Sequence, residues 1–359
     1  MRISTGWAWV GVVACWAALG ASNTARADER VDKVFAAANV AGGPGGVCVV
    51  IHDGKVVHQG FYGWADLDRK TPFDLDSAFD LASLSKQFTG LALAMLVADG
   101  TVSLDDDVRG YLPELPVYDA KRPIRVRDLA HMVSGLPSYM DLLSDQGGGT
   151  NAHVLAAVAK ADLAFPTGSR YEYSNTDYNL LATVVTRASK AADFGALART
   201  RIFEPLGMKR TAVQMTADQV IAGRVYGYKR ADESAPWERD TDDTPGIVGD
   251  GGVFASARDL IRYERAIRGG EIPPKTVQIW MTEGPRAPAE GARYALGWEL
   301  DRFDGHERAQ HSGSWNGTST CMALYEKPAL TVIVLLNVHE GGAEDLADEV
   351  AKVCLSEDD

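Results

Sequence analysis

The sequence lacks the features that mark several large protein classes. It has four cysteines in 359 residues, too few for a disulfide scaffold. Positive charge is scarce. Thirty-six Lys and Arg stand against 49 Asp and Glu, a formal charge of −13, which disfavours nucleic acid and anionic membrane surfaces as partners. There is no His-Glu-x-x-His, no Cys-x-x-Cys, no Gly-x-Ser-x-Gly and no Gly-x-x-x-x-Gly-Lys. The signatures of zinc proteases, thiol redox enzymes, α/β-hydrolases and phosphate-loop proteins are therefore missing. The seven histidines (52, 58, 131, 153, 306, 311, 339) show no zinc spacing, and no metal or cofactor is expected. No repeat or low-complexity tract is present.

What remains is an ordinary globular composition, 46% hydrophobic and 24% charged, long enough for one large or two modest domains. The apolar stretch Trp7 to Leu19 covers 13 residues. A helix there would be roughly 20 Å long, short of a hydrocarbon core of about 30 Å. It follows Met1-Arg2 and precedes Ala25-Arg26-Ala27, whose small residues suit a signal peptidase. Residues 1–27 thus read as a signal peptide cleaved before Asp28, the alternative being an uncleaved N-terminal anchor. Cleavage would remove Arg2, Arg26 and no acid, moving the charge from −13 to −15. It would leave Cys48, Cys321 and Cys354, among which one disulfide of unspecified pairing can form. The expected location is periplasmic or secreted, with no stable membrane insertion after cleavage.

Along the mature chain, Val31 to Val40 reads as a short helix and Val47 to Ile51 as a buried strand. Asp53-Gly54 marks a hairpin turn into a second strand, Lys55 to Tyr62. Ala82 to Val97 has helical spacing of Leu84, Phe88, Leu91 and Met95. Helices are expected over 126–133, 152–161, 177–189, with Asn175 or Thr176 as cap, and 193–202. Ser256-Ala257-Arg258-Asp259 opens another as a capping box. Asp105-Asp106-Asp107 lacks the spacing of a calcium loop and reads as a loop and helix cap. The stretch 228–246 is polar and patternless, a surface loop. Thr318 to Tyr325 and Leu330 to Leu336 read as strands, and Ala343 to Cys354 as a closing helix. Strands at both ends and helices between give an α+β fold. A mainly antiparallel sheet comes from both chain ends (28–80 and 285–359), flanked by helices, with an inserted, mostly helical domain (81–284) and the active site between the two.

The chemistry lies in Ala82-Ser83-Leu84-Ser85-Lys86-Gln87-Phe88-Thr89. Ser83 and Lys86 fall at the start of a helix, where i and i+3 share a face. Lys86 can act as a base toward the Ser83 hydroxyl if burial or a nearby cation lowers its pKa. The Ser83 N–H stands at the positive helix end and can face a developing oxyanion. Tyr171-Glu172-Tyr173-Ser174-Asn175 supplies a phenol and an amide. A neighbouring ammonium would push Tyr173 toward phenolate, so that it and Lys86 share one proton. Asn175 can orient Lys86 or a substrate carbonyl. His311-Ser312-Gly313-Ser314, on a strand edge, can add a second oxyanion N–H and a titratable donor. Ser85 and Asn175 suit either site lining or capping, Trp315 either pocket lining or packing, and His131 reads as a structural loop residue.

With these segments in place, the chain resembles the serine β-lactamase and penicillin-binding-protein superfamily, in the branch of class C β-lactamases, D-aminopeptidases and related esterases. The similarity is carried by residues 82–89, His131-Met132-Val133-Ser134-Gly135-Leu136-Pro137, Tyr173-Ser174-Asn175, Gly251-Gly252-Val253-Phe254-Ala255-Ser256 and His311-Ser312-Gly313, in the family's order. The resemblance implies a β-lactamase/transpeptidase-like fold. It makes Ser83 the acylated nucleophile and Lys86 with Tyr173 a joint base, and it places Ser314 as second oxyanion donor. Asn175, His311, Gly313 and Trp315 would contact substrate. His311 departs from the lysine that in relatives helps hold a substrate carboxylate; neutral histidine supplies no such charge. The expected activity is therefore that of an exported serine hydrolase cleaving an ester or a D-amino-acid amide or peptide. The alternatives are a β-lactamase or DD-carboxypeptidase and, from another class, a non-catalytic cell-wall sensor.

Overall fold

A computed structural model of the chain describes residues 24–36, 42–143, 149–232, 234–240, 245–285, 291–339 and 341–356. The leader reading over residues 1–23 lies outside the described residues. So do positions 37–40 of the first expected helix, which is helical over Thr24–Ala36.

A seven-stranded antiparallel sheet carries the fold. In spatial order it runs Arg293–Tyr294, Glu299–Phe303, His306–Trp315, Thr318–Tyr325, Leu330–Leu336, Gly46–His52, Lys55–Tyr62. The N-terminal hairpin therefore docks beside the last strand of the chain, Gly46 pairing with Leu336 and His52 with Leu330. Its turn is Asp53-Gly54, with φ of 49° and 72°. Two successive positive φ values match the right-handed strand twist, which is why Asp-Gly suits this turn. The strands Thr318–Tyr325 and Leu330–Leu336 are buried along their whole length, because both faces of the sheet are covered.

Period-two alternation divides the two faces. Cys48, Val50, Cys321, Val332 and Val334 pack with the helices Thr24–Ala36 and Ala343–Leu355. Val49, Ile51, Met322, Ile333 and Leu335 face the larger core. That core holds the helix Lys86–Ala98, ten of whose 13 residues are buried. Apolar nearly all round, this helix belongs in an interior, and its first residue is carried in with it.

Cys48, Cys321 and Cys354 are all buried free thiols. Cys48 and Cys321 both pair with Val334, from its two sides. They are thus two strand spacings apart, about 10 Å, too far for a disulfide.

Several elements differ from the sequence expectation. The helix from Val126 stops at Ala130, and the one expected over 152–161 covers Asn151–Val158. The segment expected to be a surface loop contains a two-stranded hairpin, Gly227–Lys229 with Glu238–Asp240, whose Tyr228 is buried. Its polar sequence hides the pairing because only one side chain in the short strand faces inward. Asp107 caps a short 3-10 turn by accepting the Arg109 N–H, and Ser256 caps Ala257–Gly269 through the Asp259 N–H; both match the sequence reading.

Candidate active site

Ser83 lies in a 3-10 turn, Ala82–Ser85, that runs directly into the α-helix Lys86–Ala98. The α-helix thus begins one turn later than its sequence suggests. With three residues per turn, a 3-10 segment eclipses side chains at i and i+3, and Lys86 Nζ lies 3.0 Å from Ser83 Oγ. The preceding Ala82 is left-handed, φ 47°, at a cost of about 1–2 kcal/mol for a residue with a Cβ. Two bonds hold it there. The Ala82 N–H donates to Asp80 Oδ1 at 2.9 Å, and the Leu81 N–H donates to the Val253 carbonyl at 2.9 Å. Ser85 is fully buried and its Oγ accepts the Val253 N–H at 3.1 Å. It ties the turn to the Val253–Ser256 strand and takes no part in lining the site.

Lys86 is completely buried. Besides Ser83 it reaches Asn175 Oδ1 and the Asp250 carbonyl, both at 2.8 Å. Burial lowers its pKa to about 8, against the opposing pull of the Asp250 carboxylate. This geometry serves both protonation states. An ammonium donates to all three oxygens. A neutral amine keeps two N–H bonds for the two carbonyl oxygens, which can only accept, and its lone pair then faces the Ser83 hydroxyl.

The Tyr173 hydroxyl stands close enough to Ser83 for the serine to lower its pKa, and Lys86 Nζ stands 5.0 Å from the centre of its ring. The expected drift toward phenolate is not what this environment produces. Desolvation of the hydroxyl raises the Tyr173 pKa, although the residue as a whole is 43% exposed, and outweighs the lowering effect of Ser83. At neutral pH Tyr173 is a phenol, and the group poised near neutrality is Lys86. The helix Asn175–Ser189 is capped by Ser174, whose Oγ accepts the Asp177 N–H at 3.1 Å, in place of the expected Asn175 or Thr176. Capping one residue earlier leaves the Asn175 amide available to Lys86.

The third segment belongs to the strand His306–Trp315. His311 is 2% exposed. Its Nδ1 lies 2.6 Å from the Ser312 carbonyl; a carbonyl only accepts, so Nδ1 carries the hydrogen. Nε2 then accepts from the Tyr294 hydroxyl at 3.1 Å. Burial, reinforced by Lys86, depresses the His311 pKa to about 3. His311 is therefore neutral with both nitrogens committed, and the additional titratable donor expected from sequence is absent. Gly313 lets the strand pass tightly against the turn that carries the nucleophile. A Cβ there would meet the Leu81 carbonyl oxygen at 2.2 Å and the Ser83 nitrogen at 3.0 Å. Ser314 follows one residue on, exposed, where the strand runs against the Ser83 turn. Trp315 ends the strand half-buried, its carbonyl accepting from His339 Nδ1 at 2.9 Å. His131 is a structural residue, its two nitrogens each 2.9 Å from a backbone carbonyl, of Arg127 and Thr282.

Three contributors escaped the sequence reading. Asp250 holds Lys86 through its carbonyl, and its Oδ2 accepts from the Tyr139 hydroxyl at 2.8 Å. Tyr294 occupies the second His311 nitrogen, whose tautomer the Ser312 carbonyl sets. Asp177 is buried two residues after Asn175 and accepts from Ser134 Oγ. Desolvation raises its pKa to about 8. Ser134, Tyr173, Asn175 and Asp177 share the wall of a cavity of about 100 Å³. The only available signal was adjacency: each residue but Tyr294 lies within two positions of a recognised motif. Among the described residues no cluster of His, Cys, Asp and Glu is arranged to hold a metal ion.

An α+β fold with a large antiparallel sheet, a buried Ser-x-x-Lys, a Tyr-x-Asn and a His-x-Gly strand defines the class of penicillin-recognising serine enzymes and their relatives. The chain belongs to the Beta-lactamase family, whose model matches residues 31–355. It is 31% identical over 329 residues to the D-aminopeptidase of Brucella anthropi, covering 87% of this chain and 59% of that protein. To penicillin-binding protein 4* of Bacillus subtilis it is 29% identical over 317 residues, covering 82% of this chain and 68% of that protein. The D-amino acid amidase of Ochrobactrum anthropi SV3, solved with L-phenylalanine amide, superposes with a TM-score of 0.77 at 25% identity. That match covers 94% of this chain and all of the amidase. The chain spans about three-fifths of the length of the D-aminopeptidases it matches.

Proposed function

We propose that this protein is an exported serine hydrolase that works through an acyl-enzyme on Ser83 and cleaves an ester or a D-amino-acid amide or peptide. The observation that carries this reading is the buried Lys86 amine, 3.0 Å from Ser83 Oγ with both its other partners carbonyl oxygens. In the neutral form Lys86 takes the Ser83 proton as Oγ attacks the substrate carbonyl carbon. The backbone N–H groups of Ser83 and Ser314 hold the oxyanion. The proton then passes through the Lys86–Tyr173 pair to the departing alkoxide or amine as the carbonyl–heteroatom bond breaks. Water attacks the resulting ester by the same route in reverse and restores Ser83. No step uses a metal or cofactor.

The substrate side of the reading rests on His311. A neutral ring with both nitrogens engaged offers no charge to a leaving-group carboxylate, which favours esters and amides over β-lactams and terminal D-alanyl peptides. Similarity to a D-aminopeptidase and a D-amino acid amidase supports the amide branch. Export rests on the sequence of residues 1–27 alone. The test is a panel of short p-nitrophenyl esters, D-amino-acid amides, D-Ala-D-Ala peptides and a chromogenic cephalosporin, run on the protein and on Ser83→Ala. Turnover of esters or D-amides that vanishes in the variant is expected. A cephalosporin hydrolysed well above the esters would replace this reading with a β-lactamase. Slow acylation by every substrate without turnover would replace it with a sensor.

A further inference from the structure

Lys86 spends its donors on Ser83, Asn175 and Asp250, and His311 is neutral, so neither can receive a substrate carboxylate. Arg224 is a cation of another kind, held over aromatic rings. Arg224 lines a cavity of about 240 Å³ together with Asp80, Asn316 and Thr318. Its guanidinium carbon lies 4.9 Å from the ring centre of Phe254 and 5.7 Å from that of Tyr226. Its Nε is buried without a hydrogen-bond partner. Among the described residues its side chain makes no ion pair. Two carboxylates share the wall. Asp240 pairs with Lys229 at 2.8 Å, and Asp80 Oδ1 accepts the Ala82 N–H.

The cavity is built from the segments that position the nucleophile. Asp80 stands three residues before Ser83, and its carbonyl accepts from Thr318 Oγ1 at 2.9 Å. Asn316 lies three residues beyond Gly313 on the chain that passes Ser83, a distance of about 10 Å for extended backbone. A guanidinium lying over aromatic rings, with donors unspent, is suited to a carboxylate, which it can grip with two parallel bonds.

We propose that the Arg224 cavity, walled by Asp80 before the Ser83 turn and by Asn316 beyond Gly313, is a subsite for a carboxylate on the substrate, remote from the scissile carbonyl. It rests on the reading of Ser83 as nucleophile and extends it to acidic substrates whose charge is remote from the bond cleaved. The location explains how a site with neutral histidine at position 311 can still select an anionic substrate.

The test compares p-nitrophenyl monoesters of glutaric and suberic acid with the neutral valerate and octanoate esters of equal chain length. The suberate ester should exceed octanoate in kcat/KM by about tenfold, the size of one charge-assisted contact, and the shorter glutarate should gain little over valerate. Arg224→Gln should abolish the suberate preference while still hydrolysing octanoate, which also reports that the variant is folded. Arg224→Lys, keeping the charge, should retain part of the preference. Calorimetric titration with suberate should show binding to the wild type that Arg224→Gln loses. A suberate preference unchanged in Arg224→Gln, an equal preference at both chain lengths, or equal suberate binding by the two proteins would overturn the proposal. If neither a neutral ester nor a D-amino-acid amide is hydrolysed, the Ser83 reading fails, and the titration still decides Arg224.

Discussion

Replacing Asp250 by asparagine removes one negative charge beside Lys86 while keeping the backbone carbonyl that accepts from its Nζ. The Tyr139 hydroxyl retains an acceptor, because the asparagine amide oxygen replaces Oδ2. Two opposed effects set the Lys86 pKa near 8: burial, which disfavours the ammonium, and Asp250, which favours it. Deleting the second leaves the first. A carboxylate within a few ångströms shifts a lysine by about one unit or more, so the variant's Lys86 should titrate near 7. At pH 6.5 a base of pKa 8 is only about 3% neutral, and one of pKa 7 about a quarter neutral. With neutral Lys86 as base, kcat/KM on a neutral ester should climb about tenfold per pH unit below its midpoint. The variant should then be about eightfold faster than wild type at pH 6.5 and equal to it on the plateau above pH 9. Loss of an active-site carboxylate would thus increase activity in mild acid. The assay is p-nitrophenyl butyrate hydrolysis from pH 5.5 to 9.5, with the product read at its pH-independent isosbestic wavelength. A midpoint that stays near 8 or moves upward would refute the assignment of Asp250 as the group opposing burial, and with it Lys86 as the base.

Other perturbations follow from the same geometry. His311→Gln should leave the shape of the pH profile between 5 and 8 unchanged, since His311 titrates near 3; an inflection near pH 6 present only in the wild type would contradict this. Gly313→Ala places a methyl group 2.2 Å from the Leu81 oxygen and must push the strand off the Ser83 turn, so kcat should fall about 100-fold, read by initial rates. Asp177 has a folded pKa raised from 3.8 to about 8, so its contribution to stability is present at pH 4 and lost as pH rises through 8. Between pH 4 and 7 that loss is about 4 kcal/mol. Urea unfolding should therefore show the wild type losing ground to Asp177→Asn over this interval, and a constant difference would rule the shift out.

Much of the fold was legible because its signals are local. Asp53-Gly54 fixes a hairpin, Ser256 a helix start, and the apolar runs 318–325 and 330–336 strands buried on both faces. The three motif segments likewise point to Ser83, Lys86, Tyr173 and His311. What sequence could not supply was the dielectric around them. A phenol beside an ammonium should lose its proton more readily, yet desolvation of its hydroxyl reverses the sign for Tyr173. A histidine on a strand edge should be a donor, yet Tyr294 and the Ser312 carbonyl consume both nitrogens. Asp250 went unseen because its carbonyl does the holding, and any residue has a carbonyl. The hairpin at 227–240 went unseen because its strands are three residues long, too short for a periodic pattern.

The central claim is that Ser83 is the nucleophile. Intact-protein mass spectrometry after incubation with a fluorophosphonate, followed by peptide mapping, tests it most directly. A single adduct mapped to Ser83, absent from Ser83→Ala and formed far more slowly in Lys86→Ala, is the expected result. An adduct on another residue, or one that persists in Ser83→Ala, would contradict it.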